Sequence, residues 1–242
     1  MIDKSFIEKI ESMAINNCDI KEVDGVMFTP AELHPVRVKA SFPTLKLHSL
    51  SGLVDYIKAN KDEVKMQDSM LIVESFQGVS LVTRQEGKFM ERLYVATSTP
   101  VETEKFRFGN WMDTEQFIIQ LRSRFEDGED MEKVVSYASR VVVGETVETE
   151  DDGVGQTTVT KKNGSGTVKA KETAPAVVYL RPYRTFPELD QVCSPFLLRM
   201  RNEDNKASFA LFEADGGSWQ NLAMNKIKEM LQKQLPQMTI LA

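Results

Sequence analysis

The run Met70-Leu71-Ile72-Val73-Glu74-Ser75-Phe76-Gln77-Gly78-Val79-Ser80-Leu81-Val82-Thr83-Arg84-Gln85 decides the fold class. It reads as two strands, Met70–Phe76 and Val79–Gln85, joined by a tight turn at Gln77-Gly78. A third strand, Leu93–Ser98, follows Gly87. The simplest arrangement is an antiparallel meander closed by a fourth strand at Lys105–Phe108. Strands grouped in hairpins, rather than alternating with helices, predict an α+β fold: mainly antiparallel sheet with helices packed on it.

Upstream, Asp3 to Asn17 places Phe6, Ile7, Ile10, Met13 and Ala14 at helical spacing. Short extended pieces follow at Val23–Phe28, Val36–Ala40 and Leu45–His48, with Pro30, Pro35 and Pro43 denying a long helix. Ser49 opens a second helix whose stripe is Leu50, Leu53, Val54 and Ile57. Downstream, Asp113 followed by Gln116 makes a capping-box start for a helix with Phe117, Ile118, Leu121 and Phe125 inward. A shorter helix carries Met131, Val134, Val135 and Ala138. The last third predicts strands at Val177–Leu180, Phe196–Arg201 and Ala207–Glu213. A C-terminal amphipathic helix then carries Trp219, Leu222, Ala223, Ile227, Met230, Leu231 and Leu235.

Between these parts the composition changes. Glu145, Glu148, Glu150, Asp151 and Asp152 form an acidic linker. Gln156–Lys162 and Thr167–Lys171 then alternate around Asn163-Gly164-Ser165-Gly166, the signal of a long polar β-hairpin arm. Too little apolar surface is present to order such an arm by itself, so a solvated insertion is the competing reading. The expected division is 1–142, 143–172 and 173–242, or a single domain in which the first and last parts interleave.

The 242 residues carry 36 acids and 30 bases, a net charge of −6, which opposes non-specific duplex binding. Two cysteines and two histidines (Cys18, Cys193, His34, His48) are scattered over two ends of the chain without zinc spacing, so no metal site is expected. The thiols read as small buried apolar groups of a reducing cytoplasm. The start, Met1 to Phe6, lacks the features of a secretory signal, and no apolar run is long enough to span a bilayer. Neither histidine sits in a nucleophile context. The glycines near 153 and 164 lack the strand–GxxxxGK[ST]–helix order of a phosphate loop, and no cofactor is expected. Glu213 and Asp215 could bind a cation, but a helix cap at Asp215 with positive φ at Gly216 and Gly217 is the favoured reading.

The most unusual stretch is Arg181-Pro182-Tyr183-Arg184-Thr185-Phe186-Pro187. Guanidinium planes interleaved with rings can stack bases and hold phosphates. They can also pin an extended segment by ion pairs and ring packing, or line a subunit contact. Arg181, Tyr183, Arg184, Phe186 and, from a later strand, Arg199 are therefore the candidate ligand or interface residues.

The block Tyr179–Gln191, then Ser194-Pro195-Phe196, then Ala210-Leu211-Phe212-Glu213-Ala214-Asp215-Gly216-Gly217-Ser218-Trp219, resembles the YfdQ-like family of phage and prophage proteins of uncharacterised function. The resemblance covers roughly residues 175–235. It implies a phage-encoded protein of the host cytoplasm and transfers no catalytic residue. With no acid–base pair or nucleophile evident, the expectation is a non-enzymatic protein that self-assembles into a homo-oligomer and acts by scaffolding or binding. A single-stranded DNA-contacting recombination accessory is one alternative, resting on Arg181–Phe186, Lys161 and Lys169. Sequestration of a small anionic, nucleotide-like ligand by Arg181, Arg184 and Arg199 in counter-defence is the other.

Overall fold

The computed structural model describes residues 3–16, 20–28, 35–36, 43–85, 90–141, 146–151, 156–161, 170–203 and 206–242. Cys18, His34, Lys169, the end of the strand expected over Val36–Ala40 and the turn expected at Asn163–Gly166 lie outside the described residues. The chain divides into two compact units, Met1–Pro43 and Thr44–Ala242.

The first unit holds α1 (Lys4–Asn16) and an antiparallel sheet of β1 (Lys21–Val23), β2 (Val26–Phe28) and β3 (Pro35–Val36), with β2 central. The extended piece expected over Val23–Phe28 begins inside a hairpin. Asp24 and Gly25 both have positive φ, 51° and 76°, the type I′ geometry that matches strand twist in a two-residue turn. Asp24-Gly25 was its sequence signal.

In the second unit, β4 (Leu45–Leu47) leads into α2 (Leu50–Ala59), then β5 (Ser69–Ser75), β6 (Gly78–Thr83) and β7 (Tyr94–Ser98). Ser49 caps α2, its hydroxyl accepting from the Gly52 N–H at 3.1 Å, and Leu50, Leu53, Val54 and Ile57 are all buried. The β5–β6–β7 meander forms as expected, but Lys105–Phe108 does not close it. Its edges are taken by β4, parallel to β7, and by a strand from the C-terminus, parallel to β5. Phe106 instead enters a different core, where its ring lies 5.1 Å from Phe125 and 5.0 Å from Phe108. Burying two phenylalanines there outweighs the ladder bonds of a short edge strand.

Next come β8 (Met112–Asp113), α3 (Thr114–Arg124) and α4 (Glu129–Val141). Asp113 caps α3 by accepting from the Gln116 N–H at 2.8 Å. The arm is a three-stranded antiparallel sheet, β9 (Thr146–Asp151), β10 (Gln156–Lys161) and β11 (Ala170–Thr173), with β10 in the middle. The hairpin of β10 and β11 is present, and the acidic segment expected as a linker is its third strand. Alternating Thr and Val suit a pleated backbone whatever the charge between them.

Strands β12 (Val177–Leu180), β13 (Ser194–Glu203) and β14 (Lys206–Glu213) complete an antiparallel sheet in the order β12-β13-β14-β8. Helix α5 (Trp219–Gln234) and β15 (Thr239–Leu241) end the chain, β15 being the strand that pairs with β5. Trp219, Ala223, Ile227 and Leu231 of α5 are buried, whereas Leu222, expected in that stripe, is exposed.

Two cores result. One joins Phe106, Phe117, Leu121, Phe125, Met131 and Val134 to Val178, Phe196, Leu198 and Phe209. The other joins α2 and Leu71, Val73 and Leu81 to Phe186, Ile227, Leu231 and Ile240. Both draw on residues before 142 and after 173, all within the unit Thr44–Ala242. No described helix is long and apolar enough to cross a membrane.

Candidate functional site

The segment from Arg181 to Gln191 runs between the two cores as a strap. Prolines 182 and 187 fix a non-helical path, so its backbone groups need partners outside any helix or long ladder. Near its start, the Glu126 N–H donates to the Arg181 carbonyl and the Tyr183 N–H to the Arg124 carbonyl, both at 2.9 Å. Farther along, Gln191 does the work of a missing strand. Its Oε1 accepts from the N–H groups of Arg184 (3.0 Å) and Thr185 (3.3 Å). Its Nε2 donates to the carbonyls of Phe186 (3.1 Å) and Leu189 (2.9 Å). Its own N–H donates to Glu126 Oε1 at 2.9 Å. Gln191 is almost wholly buried, and all four of these side-chain bonds fall within its donor and acceptor capacity.

The strap also fixes α2. Glu188 accepts from the Leu50 N–H (2.6 Å) through Oε2 and from the Ser51 N–H (2.9 Å) through Oε1, so one carboxylate serves two free donors at the positive end of the helix. On the other side, Gln77 Nε2 donates to the Arg184 carbonyl at 2.7 Å and the Thr185 hydroxyl donates to the Phe76 carbonyl.

Arg184 is only 9% exposed. Its guanidinium carbon lies 4.4 Å from the Trp219 ring centroid, 4.7 Å from Phe108 and 5.1 Å from Phe196. Glu213 Oε1 stands 2.9 Å from Nη1, close enough for ionic attraction, yet none of the three guanidinium nitrogens is aligned for a hydrogen bond. Burial pulls the Arg184 pKa below the ordinary guanidinium range, and Glu213 and then Asp215 oppose that shift. This geometry is that of a cation held by π faces, and it ties α5 to the strap.

The five candidate residues therefore do not converge. Phe186 is fully buried in the α2–α5 core. Arg181 is half exposed, 3.9 Å from Glu126. Arg184 lies on the Phe196 side of β13, whereas Arg199, three residues later, lies on the opposite face by strand alternation. An anion pocket shared by Arg181, Arg184 and Arg199 is not formed within one chain. Two of the five, the half-exposed Tyr183 and Arg184, do line one cleft of about 430 Å³ together with Gln77, Glu104, Lys105 and Arg124. Within it Lys105 Nζ lies 3.1 Å from Gln77 Oε1, and Arg124 Nη2 donates to Glu104 at 2.6 Å. Arg124 and Glu104 neutralise one another, whereas the partner of Lys105 is the uncharged Gln77 amide.

Other residues correct or complete the sequence reading. Cys193 is exposed, not buried, because it precedes the inward-facing Ser194 of β13. His48 Nδ1 lies 3.1 Å from the Thr99 carbonyl, a satisfied surface histidine. Gly216 and Gly217 do adopt positive φ, 62° and 82°. Asp215, however, accepts from the Gly217 N–H at 3.0 Å, and Ser218 precedes the helix, so Asp215 secures the turn rather than capping α5. Gln191 and Glu188 were not singled out by sequence reasoning, and Trp219 only as part of a helix stripe; their roles depend on partners from other parts of the chain.

Comparison with protein-family models, with curated proteins and with solved structures gives no match for this chain.

Proposed function

We propose that the protein acts by binding rather than by turnover, as a scaffold that self-associates into a homo-oligomer. The observation that carries this reading is α1. Phe6, Ile7, Ile10 and Met13 share one face of it and are 57%, 48%, 50% and 58% exposed. Phe6, Ile10 and Met13 follow at spacings of four and three, the seam of a helix that packs on another helix. A helix of 13 residues with such a face is marginal in water and gains stability from an apolar partner. The partner in this reading is α1 of a second copy.

The resemblance of residues 175–235 to the YfdQ-like family supports a phage-encoded origin and action in the host cytoplasm. The strap adds support of a different kind, since the residues that looked most like a site are consumed in holding the fold together. Size-exclusion chromatography with light scattering tests the reading. At micromolar concentration the full chain should elute with at least twice the mass of one chain, and Ile10→Asp should return it to a single-chain mass with unchanged far-ultraviolet circular dichroism. A strictly monomeric wild type removes the proposal.

A further inference from the structure

We infer that the outward face of the β12-β13-β14-β8 sheet binds single-stranded nucleic acid. The inward face of this sheet carries Phe196, Leu198, Met200, Phe209 and Leu211 and is covered by core. Alternation puts Val177 and Tyr179 of β12, Leu197, Arg199 and Arg201 of β13, and Ala210 and Phe212 of β14 on the other face. Register aligns them into rows: Val177 with Leu197 and Phe212, Arg199 with Ala210, Arg201 with Ser208. Trp111, just before β8, joins this face, its ring 4.5 Å from the Arg201 guanidinium carbon and 6.3 Å from the Phe212 ring. Asp113, which shares the face through its pairing with Ser208, is engaged at the start of α3.

Two features of this face call for an anionic partner with ring surfaces. Arg199 is half-buried, yet among the described residues it makes no hydrogen bond or ion pair, and its Nη1 is buried without an acceptor. A partly desolvated cation without a counter-charge is costly, and an anion brought to it recovers that cost. The same face carries the partly exposed rings of Trp111 and Phe212 and, toward its other end, Tyr179, which is 60% exposed. Phosphates alone would use the guanidiniums and leave the rings idle, whereas an acidic peptide offers no planar surface to stack. A single strand supplies both chemistries, and it tolerates sequence because every base has a π face. From Tyr179, opposite Pro195, to Arg201 the face runs roughly 20 Å along β13, room for several nucleotides. The acidic balance of the whole chain keeps such binding weak and salt-dependent.

The test is fluorescence anisotropy of the full chain with end-labelled oligothymidylate and oligouridylate at low salt, with polyglutamate as the acidic-peptide competitor. Saturable binding to either oligonucleotide is expected. Its log–log salt slope should lie near about −0.7, the share of Arg199. Arg199→Gln should flatten the slope by about 0.7. Tyr179→Ala should weaken binding about fivefold or more with the slope unchanged. Arg199→Lys, which keeps the charge at a half-buried position, should keep the wild-type slope and so separates lost charge from damaged fold. The absence of binding at low salt overturns the inference. So does an Arg199→Gln slope equal to wild type, or polyglutamate competing as well as the oligonucleotides.

Discussion

Arg184 illustrates how a residue that looks functional in sequence can be structural in space. Arginine beside tyrosine and phenylalanine is equally consistent with base stacking and with ring packing, because the guanidinium plane suits both. Its three aromatic neighbours come from near residues 108, 196 and 219, and no local spacing reveals them. The cage sets a prediction. Because the buried nitrogens have no aligned acceptor, a long apolar side chain should serve almost as well as the cation. Arg184→Met is expected to change unfolding free energy by less than about 1.5 kcal/mol, while Arg184→Ala, which leaves a cavity among three rings, should cost about 3 kcal/mol. Urea denaturation of the two variants measures both. A Met variant as damaged as the Ala variant would show that the charge itself is required.

Among elements, α2 and α4 are each fixed by a carboxylate. Glu188 holds the first turn of α2 from 137 and 138 residues away, and Glu188→Ala should cost about 1–2 kcal/mol through two N–H groups left without acceptors. Asp130, in the first turn of α4, accepts from the Tyr179 N–H at 2.9 Å and lies 3.0 Å from Lys133 Nζ, so it covers the outer edge of β12. The Tyr179 bond, and then Lys133, hold its pKa below the ordinary aspartate value. A carboxylate whose folded pKa is depressed contributes stability above its unfolded pKa and loses it as pH falls through the folded one. The stability difference between wild type and Asp130→Ala should therefore be about 1–2 kcal/mol at neutral pH. It should shrink as the pH drops below about 4. Denaturant midpoints across acidic pH read this directly, and a difference independent of pH would contradict it. The helix start at Asp113-Thr114 was legible from sequence because its cap is local. The Glu188 cap was not, because its two halves belong to different elements.

At the scale of the whole molecule, the division at Pro43 and the interleaving of everything after it govern behaviour. Residues 44–242 contain both cores complete, so that fragment should unfold in a single transition with a midpoint within about 5 °C of the full chain. Calorimetry of the two chains checks this, and a fragment without a cooperative transition would place essential contacts before residue 44. The sequence by itself determined the α+β class, the β5–β6–β7 meander, the hairpin of β10 and β11, and the stripes of α2 and α3. Each is written in neighbours a few residues apart, where period, capping and turn chemistry act. The parallel edges at β4 and β15, the diversion of Phe106 and Phe108 into a second core, and the strap locked by Gln191 were decided only in three dimensions. They depend on which buried surfaces and unsatisfied backbone groups meet after the chain has folded back on itself, and a linear pattern records no information about that meeting.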